Sequence, residues 1–346
     1  MAPSIKAVGV SVTSMALGAW AFVKVNEVSG PTMEPIVAAC TNPDIPLSEF
    51  AEKTGYHAYD ARFGFGAFNW LCCLITQFLL DLVKHYPAGM LVWITTMVIA
   101  LPIGVWITIE AGRKDAKGPI RYPIIVGLLY QILGISVIFP LLWVPSYCLG
   151  RGKGGVNLTR ISMSVPMNLP TLLLSFALFK LPTGSSAWMS CASILGGPGI
   201  VLLGVIYWMV KDPDPKDLKL AKKSAQLSGR AFGFAGILSL FVWIYLVLVV
   251  IIPEYGYSIS AVLKDLWGKD VNSSVKFMVI DAVVLWIGGL IAIGFRNWQA
   301  GLEALFYSFI FGPGAGPALV LAGLTADDEE EIDAALKESV SDKKND

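Results

Sequence analysis

Asp281 lies about six residues, or roughly 9 Å at 1.5 Å per residue, inside an apolar stretch that begins at Val275. A carboxylate in hydrocarbon costs on the order of 2.5–3.5 kcal/mol on insertion scales. That cost implies the neutral acid, and a buried neutral carboxylic acid is a proton donor ready for use. The plainer alternative is a hydrogen bond to a neighbouring helix. Glu110-Ala111-Gly112-Arg113 closes another apolar stretch, with carboxylate and guanidinium on one helix face through their i,i+3 spacing. It reads either as an acid with a tuning cation or as an ion pair at the lip of a span. Gln131 lies deep in a third stretch, after Gly127-Leu128-Leu129-Tyr130, and must hydrogen-bond something. A helix-to-helix bond of that kind is worth well under about 2 kcal/mol.

The elements that must position these groups are roughly nine apolar stretches, each long enough to cross a hydrocarbon layer of ~30 Å. They fall near residues 5–23, 64–83, 88–109, 120–143, 161–180, 187–210, 231–252, 275–293 and 302–324. Hydrophobic residues make up 55% of the 346 and charged ones 15%, and the mean hydropathy is +0.64. A water-soluble domain of this length would lack polar surface. The expectation is an all-α polytopic transmembrane bundle of eight or nine spans, the first and last being the weakest. Residues 1–324 form one membrane domain, with an extramembrane loop at 24–62 that carries Pro31, Pro35, Pro43 and Pro46. Residues 325–346 form a polar tail, a solvated helix or a disordered end. Residues 7–23 also resemble a signal-peptide core with small residues around Ala19-Trp20-Ala21, but the single Lys6 favours a retained helix.

Composition removes several function classes. The 26 basic and 26 acidic residues cancel, so nothing points to a nucleic-acid partner. Two histidines, His57 and His85, are too few for a membrane di-iron oxidase or a bis-imidazole haem protein. The five cysteines show no CxxC spacing, and we read from them neither a metal site nor a disulfide framework. No cofactor and no metal are expected.

Charge does not fix the orientation. The loop with Lys211, Lys216, Lys219, Lys222, Lys223 and Arg230 and the loop with Arg113, Lys114, Lys117 and Arg121 are three predicted spans apart, which puts them on opposite sides where each opposes the other. The sequons at Asn157 and Asn272 are separated in the same way, and chance is the better reading for both. Three motifs are discounted. Gly150-Arg151-Gly152-Lys153-Gly154-Gly155 lacks the strand and helix of a dinucleotide site. Asp327-Asp328-Glu329-Glu330-Glu331 reads as a solvated acidic face rather than a magnesium site. Gly312-Pro313-Gly314-Ala315-Gly316-Pro317 reads as a kinked or re-entrant helix.

Aromatic positions, among them Tyr130, Phe139, Trp143, Tyr207, Trp208, Trp243 and Trp286, suit one reaction. A buried acid protonates an epoxide, ring faces stabilise the cation that develops, and an apolar cavity keeps water out. Most of these aromatics are equally at home as core or interface residues.

Glu110-x-x-Arg113 near a span end, a basic stretch, then Gly127-Leu-Leu-Tyr-Gln131 and Pro140 resemble the fungal integral-membrane terpene cyclases of meroterpenoid pathways, of the ascofuranone and ascochlorin cyclase type. The resemblance covers about residues 105–145. It implies a redox-neutral, metal-free enzyme of the endoplasmic reticulum that takes a hydrophobic prenylated phenol with a terminal epoxide and cyclises it, with a lean to a tetrahydrofuran ring. Glu110, Arg113 and Gln131 match the pattern, whereas Asp281 rests on burial alone. The expected catalytic residues are Glu110 and Asp281, with Arg113, Gln131 and Tyr130 binding substrate. The lipid bilayer is the other partner, and no obligate protein partner is evident. The alternative is a transporter or exporter of the same hydrophobic metabolite. A transporter usually carries internal repeats with paired broken helices, and no repeat is legible here.

Overall fold

The computed structural model describes residues 4–41, 49, 52, 66–113, 116–152, 155–195 and 218–345. Most of these residues are helical and they form no strand; the one β-bridge among them pairs Arg113 with Val156. The helices are α1 (Ile5–Thr41), α2 (Gly66–Lys84), α3 (Ala88–Ala111), α4 (Pro123–Leu133) and α5 (Ile135–Gly150), the last with a π-helical turn at Phe139–Trp143. Next come α6 (Leu158–Leu178), α7 (Ser186–Leu195) and α8 (Leu218–Leu246), which continues through a π turn at Val247–Ile251 into Ile252–Tyr255. The last four are α9 (Ile259–Trp267), α10 (Ser273–Arg296), α11 (Trp298–Phe311) and α12 (Ala315–Asn345).

Local sequence explains where these helices start and stop. Asn157, Ser258, Asn272 and Asn297 are side-chain N-caps of α6, α9, α10 and α11, accepting from backbone N–H groups of the first turn. Gly134 and Gly312 end α4 and α11 at φ 87° and 96° with extended ψ, a region that is essentially glycine-only.

Five helices among the described residues are long and apolar enough to cross a membrane: Ile5–Gly30, Ala88–Ala111, Leu158–Leu178, Lys219–Tyr255 and Ser273–Arg296. The all-α expectation holds, and several long apolar helices fit a membrane protein. The anticipated stretch at 187–210 lies largely outside the described residues, as does most of the loop anticipated at 24–62. Its first part is helix instead, because α1 runs unbroken through Pro31 and Pro35 to Thr41. The polar tail, read as a solvated helix or a disordered end, continues α12 as helix to Asn345.

The stretch expected to cross at 120–143 folds back on itself. Its α4 arm has 11 residues, roughly 16 Å at 1.5 Å per residue, too short to cross. At Gly134 the chain reverses, and α5 returns until Gly150 C=O accepts from Lys117 N–H at 2.8 Å. Both ends of this hairpin therefore sit at one end of the bundle. A second hairpin has the same build. After Arg296 the chain enters as α11, reverses at Gly312 and returns as α12, where Asp328 meets Arg296 at 2.6 Å. The glycine-rich break is thus a reversal. Long helix, long helix, hairpin occurs twice, as α1, α3, α4–α5 and again as α8, α10, α11–α12, a repeat of order that was not legible in the sequence.

The returning hairpin corrects the charge reading. Val156 N–H donates to Ser224 Oγ at 2.9 Å, and Lys222 and Arg113 both reach the same turn of α12 through Glu329 and Asp328. The two basic segments expected on opposite sides share one end of the bundle.

Aromatic packing fixes α5. Phe139, Trp143 and Tyr147 stack at centroid spacings of 5.0 and 5.1 Å, with Trp106 of α3 edge-on at 5.2 Å. Phe139 lies against Gly288 of α10, where a Cβ would come within 3.0 Å of the ring. Cys40 and Cys73 form a disulfide that ties the last turn of α1 to the middle of α2, correcting the expectation of no disulfide. The pair is 33 residues apart, a separation with no local spacing signature.

Candidate functional site

The predicted residues separate into two places. Tyr130, Gln131 and Asp281 come together; Glu110 and Arg113 do not join them.

The first place is the tip of the α4–α5 hairpin. Asp281 is 5% exposed, and its Oδ1 accepts from the backbone N–H of Ser136 at 3.2 Å. Ser136 lies in the first turn of α5, whose leading N–H groups have no partner within the helix. The carboxyl is therefore an N-cap supplied from another helix, and α10 positions it by packing on Ile135–Trp143. Gly134 lies beside it, where a Cβ would stand 3.4 Å from Asp281 Oδ1, and its positive φ is what sets the turn that brings Ser136 to the carboxyl.

Two cavities meet at this tip. One, of about 310 Å³, lies between α1, α2 and the hairpin tip and is walled by Phe22, Trp70, Phe78, Trp93 and Phe277. The other, of about 270 Å³, runs along α3, α4 and α6 past Thr96, Thr108, Asn168 and Thr171. Trp93, Tyr130, Gln131 and Asp281 line both and form the waist between an aromatic chamber and one with more hydroxyl and amide groups. Apolar clefts of this size with a few converging polar groups are the usual form of small-molecule sites.

The polar groups at the waist have unequal partners. Gln131 Nε2 donates to Leu195 C=O at 3.4 Å, the helix-to-helix bond anticipated for it. Tyr130 OH, Trp93 Nε1 and Trp70 Nε1 are buried atoms with no hydrogen-bond partner among the described residues. Buried donors are normally paired, so three unpaired ones around one cavity favour a ligand that brings acceptors. The sequence reading did not single out Trp70, Trp93 or Phe277, which sit in ordinary apolar periodicity; only the fold brings them to the waist.

The second place is the basic end of the bundle. Glu110 is 2% exposed, and its Oε2 accepts from Arg113 Nε at 2.7 Å and Arg151 Nε at 3.1 Å. Asp328 bridges Arg113, Arg151 and Arg296 at 3.7, 3.5 and 2.6 Å. The acidic tail read as a solvated face is thus a partner of three arginines, and the discounted glycine string contributes Arg151. Burial works against the Arg151 charge, but Glu110, Tyr147 and Asp328 beside it hold the guanidinium above its ordinary value. With every Glu110 contact directed at a cation, the cluster joins helix ends.

The remaining anticipated aromatics have structural partners. Phe139 and Trp143 are in the core stack, Trp243 packs against Gly312, and Trp286 Nε1 donates to Ser308 Oγ at 3.0 Å. Tyr207 and Trp208 lie outside the described residues.

The chain matches no protein-family model, no curated protein and no solved structure.

Proposed function

We propose that the protein is a membrane-embedded terpene cyclase, a redox-neutral enzyme of the endoplasmic reticulum that opens a terminal epoxide on a prenylated phenol and closes a ring. The observation that supports it most is Asp281, a buried acid at the junction of two chambers, one of them walled by aromatic rings. Asp281 gives its proton to the epoxide oxygen as the C–O bond breaks. The faces of Trp93, Phe277 and their neighbours stabilise the positive charge on carbon. An oxygen or alkene of the same molecule supplies the electron pair that closes the ring, and the proton it loses returns to Asp281. The product has the substrate's mass, and nothing is oxidised or reduced. A tetrahydrofuran ring, of ascofuranone type, is the favoured outcome.

Glu110 and Arg113, which the resemblance put at the site, serve this reading as support for the hairpin base, while Gln131 and Tyr130 orient substrate. Of the eight or nine crossings anticipated, this reading keeps five long helices plus the 187–210 stretch, and it takes both hairpins as re-entrant from one face.

A second reading has its own observation. Two reversed helix pairs in equivalent places along the chain are the usual architecture of transporter sites, which favours an exporter of the same hydrophobic metabolite. One experiment separates the two. Purified protein in liposomes is given a synthetic prenylphenol epoxide, without gradient or nucleotide, and the lipid extract is analysed by chromatography and mass spectrometry. The cyclase yields an isomer of unchanged mass. Unaltered substrate that moves only under an imposed proton gradient defines the exporter.

A further inference from the structure

We infer that the aromatic chamber takes its ligand sideways from the bilayer, chain end first, through a mouth between α1 and the tip of the α4–α5 hairpin. The inference rests on the reading of the chamber as a site for a lipophilic molecule and adds its route and orientation.

The mouth is read from exposure. Phe22 on α1 and Ile132 and Leu133 at the hairpin tip are the most exposed apolar residues of the chamber wall, at 46%, 59% and 38%. Their depth makes that exposure lipid-facing. Phe22 belongs to the apolar Ile5–Gly30 segment, and the tip sits beside Asp281, eight residues from the start of α10 and so roughly 12 Å along the helix. An opening there meets acyl chains instead of water.

Polarity along the mouth sets the orientation. Asn26 and Ser29 line the chamber one and two turns beyond Phe22, as do Phe277 and Met278 from the first two turns of α10. The exposed Lys24–Glu27 ion pair lies on the same stretch of α1 at 2.6 Å, and charged side chains of this kind reach for the headgroup layer. Going inward, the wall becomes aromatic and then reaches the unpaired donors of Trp70, Trp93 and Tyr130 and the Asp281 carboxyl. A molecule with a polar aromatic head and a long chain ending in an oxygen acceptor fits this gradient in one direction. Its head stays near Asn26, its chain lies along Phe78 and Phe277, and its terminal oxygen meets the donors at the waist.

The test uses full-length protein in phosphatidylcholine liposomes and two photoreactive probes, long-chain alkylphenols with a diazirine either at the chain terminus or next to the ring. Neither has an epoxide, so labelling is independent of turnover. Peptide mapping should place the chain-end label on Trp93 or Tyr130 and the head label on Phe22, Asn26 or Ile132. Ile132→Trp and, separately, Leu133→Trp narrow the mouth; either should remove the waist label while the background label on the outward-facing Phe241 and Phe309 persists. A reversed pattern overturns the orientation. Waist labelling that survives both tryptophan variants overturns the mouth, and labelling confined to outward-facing residues overturns both. Correct labelling of a protein that forms no isomer from the epoxide leaves the mouth standing and removes the cyclase.

Discussion

The Asp281 carboxyl and the Ser136 backbone N–H, 3.2 Å apart, join two elements that are 145 residues apart in the chain. The acid thereby has two duties: it caps the returning arm of a reversed hairpin and faces the waist between two chambers. Substitution can separate them, because a cap needs an acceptor oxygen whereas proton donation needs an ionisable one.

Asp281→Asn keeps an acceptor, and Asn is as good an N-cap as Asp. The variant should accumulate in membranes at near wild-type level and melt close to it, because Asn and Asp rank alike as N-caps. Turnover of the prenylphenol epoxide should fall by about 10²–10⁴-fold, the usual size of a general-acid contribution. Asp281→Ala should lose turnover and also about 0.5–2 kcal/mol of stability, the cost of a lost cap. Full turnover in a folded Asn variant would return Asp281 to packing alone.

Glu110→Gln removes the anion on which Arg113 and Arg151 converge. Breaking a buried ion pair from one side costs about 3–5 kcal/mol, and the lower end applies here because the Arg151 side chain is 26% exposed. The expected result is reduced protein yield and a lower melting temperature in detergent, with near-normal activity per folded molecule. Normal yield with lost activity would move Glu110 into the chemistry.

Gly134→Ala and Gly312→Ala both force a side chain into a glycine-only backbone region, at a cost on the order of 1–3 kcal/mol. At Gly312 the new Cβ would also lie 2.5 Å from Trp243 Cγ, while at Gly134 the nearest atom is 3.4 Å away. Thermal unfolding should therefore show the larger loss for Gly312→Ala. Equal losses would mean that Trp243 gives way freely.

Orientation is open to direct measurement. Arg113, Lys117, Arg151, Lys222 and Arg296 gather at one end of the bundle, whereas Lys84, Lys264, Lys269 and Lys276 flank the opposite ends of α2, α9 and α10. The positive-inside tendency assigns the arginine end to the cytosol, and the Cys40–Cys73 bond requires an oxidising compartment at its own location. In sealed microsomes, a membrane-impermeant maleimide should reach Lys117→Cys from outside and Lys264→Cys only after permeabilisation. Asn272, which this assignment puts on the lumenal side, should remain unglycosylated because its Oδ1 accepts from Ser274 N–H at 2.6 Å and its Nδ2 donates to Asp81. The reverse labelling pattern would refute the assignment.

What the sequence disclosed and what it hid follow from the range of each signal. The helix of Ala88–Ala111, the Glu110–Arg113 pair and the burial of Asp281 were legible because hydropathy and i,i+3 spacing act within a few turns. A stretch that folds back has the same hydropathy as one that crosses, so 120–143 read as a span although Gly134 and Pro140 were in view. The partnership of Asp328 with three arginines, the Cys40–Cys73 bond and the meeting of Tyr130 with Trp93 depend on contacts between distant segments. No spacing rule encodes those contacts. The error at 120–143 also spread, since treating a reversal as a crossing inverted the later loops relative to the one at 113–121.

The disulfide has a mechanical consequence for the chamber mouth. With Cys40 bonded to Cys73, the lip formed by α1 and the wall formed by α2 have lost a degree of freedom and move together. Any widening then falls to the other lip, the tip at Ile132–Gly134. That tip is latched by the Ser136 N–H bond to Asp281. One carboxyl group thus fixes the yielding lip through Oδ1 and leaves its other oxygen for a guest, so strain at the lip and the setting of the acid are linked through the same side chain.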